Sequence, residues 1–283
     1  MIKPMLAYKV GKKEVDWAEK VYIQPKLDGV RCNIYLNEDG EVVSYSRTGK
    51  RFYNLKHVED SLRKFFVEEP DTILDGELYN HDLRDNFEKI ISLVRKQKPT
   101  DLDRSEAADL IQFHCYDYIT PTNDEVYSDR AAKLIFSDMY NTHVLYVRTV
   151  LIESGMPLAQ HWHKEFLGEG YEGSILRLDR VYENKRSYNL QKFKDFHDAE
   201  ADIVGYVPGK GKRAGTLGKF IMEDDEGVVF GCPPGKGYNY QELTNILENI
   251  GRFMGKRATF TYFERTKAGS YRHPMFKTLR NYE

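Results

Sequence analysis

With 283 residues the chain can hold one large domain or two ordinary ones, and it needs no disulfide or metal staple to stabilise a core. Its formal net charge of −2 excludes a bulk basic attraction to nucleic acid, and its three cysteines, Cys32, Cys115 and Cys232, lie far apart and outside metal-ligand spacing. No stretch has signal-peptide form or approaches the roughly 18 apolar residues of a membrane span, so the expectation is a two-domain protein of the cytoplasm, free of membranes and monomeric.

After a short lead containing Pro4, Val21 to Gln24 alternate as a strand toward Gln24-Pro25-Lys26-Leu27-Asp28-Gly29-Val30-Arg31. Arg31 to Leu36 continue with Cys32, Ile34 and Leu36 on one face, Asn37-Glu38-Asp39-Gly40 turns, and Glu41 to Ser46 returns as the second arm of an antiparallel hairpin. Arg47-Thr48-Gly49-Lys50-Arg51 places cations and a glycine at its end, a pattern suited to phosphate. A helix is predicted from about Val58 to Val67, where Leu62, Phe65 and Phe66 recur at helical spacing. Thr72 to Tyr79 reads as a strand with Asp75 and Glu77 on one face. A helix near Asn86 to Lys96 and a charged, mobile-looking connection from Lys98 to Arg104 lead to an aromatic-rich buried strand, Ile111 to Ile119. A further helix runs from about Ser128 to Asn141, with Ser128 as its N-cap. The glycines at 168, 170 and 173 mark a turn into a strand with Ser174-Ile175-Leu176-Arg177, and Tyr182 to Lys194 interleaves Lys185, Arg186, Lys192 and Lys194 with Tyr188 and Phe193.

Beyond Asp195 the composition shifts to short strands, Ile203 to Val207, Leu217 to Met222 and Val228 to Cys232, broken by Gly-Lys loops. A helix from Tyr240 to Met254 and strands through Ala258 to Glu264 and Met275 to Leu279 follow. Several short strands with one intervening helix predict a small closed barrel of the OB type. The boundary is expected near Phe196 to Glu200, dividing the chain into 1–198 and 199–283. From Arg252 to Arg280 there are eight Lys or Arg and one acid, Glu264, a basic patch on a slightly acidic protein.

The chemistry centres on Lys26. A lysine near its reference pKa of about 10.4 attacks nothing, whereas a neighbouring cation or partial burial disfavours the charged form and frees the lone pair. Arg31 is the candidate cation, Asp28 can orient the ammonium, and Gly29 would let the backbone approach a ligand without an intervening side chain. Two carboxylates, Glu77 and Glu172, could share a hard divalent cation through oxygen ligands. Taken singly each reads as a surface acid; the ordered set gives them weight.

In that order and spacing the motifs resemble those of ATP-dependent DNA ligases of the covalent nucleotidyltransferase superfamily, of the minimal phage and bacterial type. The resemblance spans nearly the whole chain and implies an α+β fold: an adenylation domain of ATP-grasp-like antiparallel sheets and helices, then an OB-fold barrel. It implies that Lys26 of Lys-x-Asp-Gly-x-Arg accepts AMP, and that Gln24 lies at the nucleotide. Arg31 becomes a phosphate-side contact, and Arg47 of Ser46-Arg47-Thr48-Gly49 touches the nucleotide or the DNA 5′-phosphate. Glu77 of Asp75-Gly76-Glu77 touches the ribose and helps hold the metal, and Tyr116 stacks on adenine in place of the more usual Phe. Glu172 becomes the metal-side carboxylate, while Lys192 and Lys194 contact the α-phosphate. Arg177 stands where the family more often has Lys, and its role stays open. The Arg-x-Asp-Lys motif of larger ligases is absent, leaving open which basic residue orients pyrophosphate. The implied cofactors are ATP and Mg²⁺ or Mn²⁺, and the implied partner is nicked duplex DNA, met by Arg47, Lys50, Arg51, Arg265, Lys267, Arg272 and the basic C-terminal segment. An RNA ligase or a GTP-dependent mRNA-capping guanylyltransferase shares the lysine motif and is the alternative.

Overall fold

The computed structural model describes residues 3–11, 13–193, 197–235, 237–262, 264–266 and 269–280. Two compact units divide the chain, Met1–Lys194 and Asp195–Glu283.

The first unit begins with strands β1 (Leu6–Lys9), β2 (Val21–Pro25), β3 (Val30–Leu36) and β4 (Val42–Ser46) and the short helices α1 (Lys56–Ser61) and α2 (Arg63–Glu68). Next come β5 (Ile73–Tyr79), α3 (Phe87–Val94), α4 (Asp101–Leu110), β6 (Gln112–Ile119) and α5 (Tyr127–Ile135). It ends with β7 (Val144–Tyr146), β8 (Val150–Ile152), α6 (Gly155–Gly168), β9 (Ser174–Leu178) and β10 (Arg186–Phe193). Two five-stranded sheets result, ordered β1-β10-β9-β2-β8 and β4-β3-β5-β6-β7. Pairing is antiparallel except for β1 with β10 and β6 with β7.

Period-two alternation assigns each sheet an apolar face and a polar one. In the first sheet Val21, Ile23 and Leu176 pack with Ala159 and Phe166 of α6, leaving Gln24, Ile175 and Arg177 on the other side. In the second, Cys32, Ile34, Leu74, Leu78 and Phe113 join a core completed by Val58, Leu62, Phe66, Ile90 and Leu93 from the helices. Asp75 and Glu77 are thereby turned to the polar side. One irregularity interrupts the alternation: Asp75 pairs with Asp117 and Gly76 with Cys115, so Tyr116 is the extra residue of a β-bulge.

Several helical boundaries differ from the sequence expectation. The lead past Pro4 forms β1, and the Val58–Val67 helix is two short ones meeting at Leu62. The stretch expected to be mobile, Lys98–Arg104, instead starts α4, nucleated by a capping box in which the Thr100 hydroxyl accepts from Asp103 N while the Asp103 carboxylate accepts from Thr100 N. Helix α5 stops at Ile135, and Ser128 does not cap it; Asp179 accepts from Ser128 N at 2.7 Å and from its hydroxyl at 3.0 Å. The strands β7 and β8 and helix α6 were not anticipated.

The second unit contains β11 (His197–Pro208), β12 (Leu217–Glu223), β13 (Val229–Cys232), α7 (Tyr240–Glu248), β14 (Arg257–Tyr262), β15 (Glu264–Arg265), β16 (Tyr271–Arg272) and β17 (Met275–Leu279). Strand β11 starts ahead of the expected Ile203 because its first half pairs with β14, His197 opposite Tyr262. The sheet runs β13-β12-β11-β14-β17, and its two ends meet where Phe276 N donates to Pro233 O at 2.8 Å and Gly235 N donates to Phe276 O at 3.0 Å. Inside lie Ile203, Leu217, Phe220, Met222, Phe260 and Phe276, with Leu243 and Ile246 of α7 against them. This is the OB-like arrangement, a curled sheet with its helix between the third and fourth strands. The three cysteines are buried and free, and among the described residues no helix is long and apolar enough to cross a membrane.

Burial pushes His114 on β6 down from 6.5 to about 4, with His81 adding to the effect. The folded imidazole is then neutral at a pH where the unfolded one takes a proton, so stability is lost as pH falls from about 6.5 toward 4. Urea unfolding at pH 7 and pH 5 is expected to show a smaller acid loss for His114→Gln than for wild type; equal losses would refute this source of acid sensitivity.

Candidate active site

Strand β2 ends at Pro25, but its ladder to β9 continues one step past both strands: Lys26 N donates to Gly173 O at 2.9 Å and Glu172 N donates to Lys26 O at 3.1 Å. Backbone pairing therefore sets Glu172 beside Lys26, and the Lys26 ammonium donates to Glu172 Oε2. Gly173, at φ +145°, also lets β10 come close on the other side, since a Cβ there would lie 2.5 Å from Phe193 O. Leu27, Asp28 and Gly29 then carry the chain to β3 in the other sheet. The expected reason for Gly29 needs correction: a Cβ would lie 2.4 Å from Leu78 O and 2.8 Å from Glu77 Cγ, so the missing side chain admits β5 and not a ligand.

Between the sheets is a cavity of about 240 Å³ with Lys26 on its wall. Gln24, Arg31, Arg47, Glu77, Tyr116, Arg177 and Lys192 line it, along with Ile175 and Leu190. Lys194 lies outside the described residues. The sequence reading did not assign Leu6 and Ala7 of β1 or Arg186 of β10 to the site, although they also line the cavity. Leu6 pairs with Arg186 and Lys9 with Lys192, an adjacency across the chain that no local pattern announces. For Arg186 the available signal was the run of cations and aromatics from Tyr182 onward.

The floor is a buried polar network. Arg31 Nε donates to Asp75 Oδ1 at 2.6 Å and its Nη2 to Oδ2, while Asn33 and the Tyr182 hydroxyl add bonds to the same carboxylate at 3.0 and 2.7 Å. Burial disfavours the Arg31 charge, but Asp75 with the Tyr116 and Tyr182 hydroxyls outweighs it and holds the guanidinium pKa well above its usual value. Arg31, expected as a phosphate-side contact, is thus a cation on the cavity wall already paired to a buried carboxylate. Asp117 is the second buried acid: Arg130 grips it in bidentate fashion at 2.7 and 3.1 Å, and Arg177 Nη1 donates to it at 2.7 Å. Arg177 Nε also donates to Gln24 Oε1, whose amide nitrogen is bound to Tyr127 Oη at 2.9 Å and Thr149 Oγ1 at 2.8 Å. These bonds lock β9 to β2 and β6, and Arg177 also lines the cavity. Gln24 reaches the cavity with its side chain already engaged on both ends.

Tyr116 has the guanidinium carbons of Arg31 and Arg177 each 5.0 Å from its ring centroid. Consecutive residues of a regular strand face opposite ways, yet Tyr116 and Asp117 both meet Arg177; the bulge is what permits it. The Tyr116 hydroxyl donates to Glu77 Oε2 at 3.3 Å. Burial raises the Glu77 carboxyl to about 7, against the opposing pull of Arg31 and Lys26, so at neutral pH this acid is poised between its two protonation states.

The expected DNA contacts separate into two groups. Arg47 and Lys50 are exposed. Arg51 instead binds Glu59 and donates to Ser44 O at 3.1 Å and Phe52 O at 2.7 Å, closing the hairpin end. Arg265 binds Asp224 at 3.0 Å, Glu226 and the Tyr271 hydroxyl. Internal carboxylates engage both guanidiniums, although Arg265 stays exposed. Arg272 is half-buried in β16, and Lys267 lies outside the described residues.

The family model of the ATP dependent DNA ligase domain matches residues 4–194. The chain belongs to that ligase family. A DNA ligase OB-like domain model matches residues 208–280, on the second unit. The DNA ligase of Enterobacteria phage T4 is 27% identical over 303 residues, covering 89% of this chain and 62% of the phage protein. That of African swine fever virus is 28% identical over 205 residues, covering 69% and 46%. The chain therefore spans less than two thirds of the length of these curated relatives. A solved Lig E DNA ligase shares the fold at a TM-score of 0.78 and 24% identity, covering 99% of this chain and 100% of that one. Among the family's motif residues in this chain, Lys26, Glu77 and Lys192 line one cavity, and Glu172 is paired to Lys26.

Removing one partner of a buried ion pair leaves the other charge stranded. Asp117→Ala, which strands Arg130 and Arg177, is expected to cost about 3–5 kcal/mol in chemical denaturation, with Asp117→Asn recovering part of it. A loss below about 1 kcal/mol, the worth of an exposed pair, would show that the network does not hold the floor.

Proposed function

We propose that the protein seals 5′-phosphate/3′-hydroxyl nicks in duplex DNA, taking AMP from ATP onto Lys26. One observation carries the reading: the Lys26 ammonium enters a cavity lined by Arg47, Arg186 and Lys192, beside Glu172 and near Glu77 and Tyr116. Membership of the ATP-dependent DNA ligase family supports ATP as the nucleotide.

In the first step Lys26 Nζ, having given up its proton, attacks the α-phosphorus; the N–P bond forms as the bond to pyrophosphate oxygen breaks. Glu172 Oε2 faces the departing proton. In the second, an oxygen of the nick's 5′-phosphate attacks the same phosphorus and Nζ leaves. In the third, the 3′-hydroxyl attacks the activated 5′-phosphate and AMP departs. All three are phosphoryl transfers, in which charge must be spread over phosphate oxygens, and Arg47, Arg186 and Lys192 are placed on the cavity wall to do so. Tyr116 offers the aromatic surface for adenine.

The acids present fit a hard divalent cation. Glu77 is partly buried with its carboxyl raised to about 7, and its hydrogen bond in the cavity is the long one from Tyr116, so a bound cation would satisfy it. Glu77 and Glu172 would hold Mg²⁺ or Mn²⁺ together with waters and substrate oxygens. Such an ion supplies positive charge to the α-phosphate.

Lys26→Ala is expected to abolish covalent labelling by α-labelled ATP, and EDTA to suppress wild-type labelling until Mg²⁺ or Mn²⁺ is restored. ATP should label where GTP does not, and a nicked DNA duplex should be sealed in preference to nicked RNA. Labelling of the Lys26→Ala chain, or a preference for GTP, would sink the reading.

A further inference from the structure

Strand β1 is the edge of its sheet, beside β10, in a ladder whose register shifts between Ala7 and Tyr8. Ahead of the shift Leu6 pairs with Arg186 and Ala7 with Ser187, so two rungs hold the part of the strand that lines the cavity. A ladder this short and interrupted fixes an edge strand weakly. Just before it, Met5 is buried and side chains grip both its backbone polar groups: its N–H donates to the Tyr182 hydroxyl at 2.7 Å, and its carbonyl accepts from Arg31 Nη2 at 3.2 Å. Tyr182 and Arg31 both end on Asp75 Oδ2, the tyrosine donating at 2.7 Å. The bonds close on themselves, from Met5 to Tyr182 to Asp75 to Arg31 and back to Met5.

We infer that Tyr182 is a positioning residue for AMP transfer to Lys26: through the Met5 amide its hydroxyl holds Leu6 and Ala7 as a wall of the nucleotide cavity and ties that wall to the Arg31–Asp75 pair. This rests on the reading of Lys26 as the AMP acceptor.

The tyrosine is anchored without help from β1. It lies buried in the connection between β9 and β10, its carbonyl accepts from Asn123 Nδ2 at 2.6 Å, and its ring centroid is 5.7 Å from the Arg130 guanidinium carbon. Burial, reinforced by the Asp75 charge, holds the phenol pKa well above its usual value, so the hydroxyl keeps its proton. That one proton goes to Asp75, which leaves the oxygen lone pairs to accept the Met5 N–H. A phenylalanine would fill the same space and keep the packing of Met5, Ile119, Tyr182 and Leu190 in their common cluster. It would strand the buried Met5 N–H, whereas Asp75 would retain Arg31 and Asn33. Loss of the oxygen therefore loosens the wall before it loosens the charge pair.

The test measures labelling of the full chain by α-labelled ATP across ATP concentrations, together with hydrogen exchange of the segment Lys3 to Lys9, for wild type, Tyr182→Phe and Ile119→Val. Tyr182→Phe should raise the half-saturating ATP concentration about five- to tenfold, the worth of one buried hydrogen bond. Its rate at saturating ATP should stay at the wild-type value, the signature of lost binding in ground and transition state alike, and its Lys3 to Lys9 segment should exchange faster. Ile119→Val trims the same cluster away from these bonds; it should lower the melting temperature and leave half-saturation where it was. If Tyr182→Phe proves unfolded, wild type is compared before and after labelling with ATP and Mg²⁺, and AMP on Lys26 should slow exchange of that segment; unchanged exchange overturns the inference. A Tyr182→Phe chain with wild-type half-saturation and exchange, or an Ile119→Val chain with the same rise in half-saturation, also overturns it and leaves the proposed function standing. A wild type that takes up no label overturns both.

Discussion

Beneath the nucleotide cavity two aspartates face each other across β5 and β6, Asp75 opposite Asp117, and both are inaccessible to solvent. Two bare carboxylates in that setting would repel and pay a large desolvation cost. Guanidiniums from three different strands and helices answer them: Arg31 on one, Arg177 and Arg130 on the other. Because each arginine is fixed by a planar, two-pronged geometry, the pairs also dictate where β3, β9 and α5 stand. The Tyr116 ring is caught between the two systems. The surroundings of Lys26 are therefore positioned by charges already paired within the protein, two of which, Arg31 and Arg177, also line the cavity.

This division of labour explains which parts of the site were legible in the sequence. Lys26, Glu77, Glu172 and Lys192 could be found because short motifs in a fixed order carry them, and a backbone ladder brings Lys26 and Glu172 together. Arg31, Arg51 and Arg265 could be found too, but not the carboxylates that pair with them. A cation's role depends on whether a carboxylate far along the chain meets it, and Asp75, Glu59 and Asp224 are not marked as partners by any local pattern. Arg186 was hidden for the same reason, since its place at the cavity follows from pairing with a strand some 180 residues earlier in the chain.

The fold shows a parallel contrast. The longer strands of both units were legible from alternation, because each sheet has one apolar face, whereas the short strands β1, β7 and β8 were not. Helix α4 was not: Asp101-Leu102-Asp103-Arg104-Ser105-Glu106 has a weak apolar stripe, and its start is decided by one reciprocal cap at Thr100 and Asp103. The bulge at Tyr116 leaves no compositional trace either, though it lets neighbouring residues reach one arginine. Local propensity locates elements well where burial is periodic and poorly where a single hydrogen-bonded device decides the outcome.

The pairing of β1 with β10 has a consequence in time as well as space. Leu6 and Ala7 are made some 180 residues before their partners, yet the wall they give the cavity exists only once Arg186 to Lys192 have been added to hold them. Closing so long a loop is slow compared with forming the hairpins between. Until β10 is made, the cavity at Lys26 lacks that side.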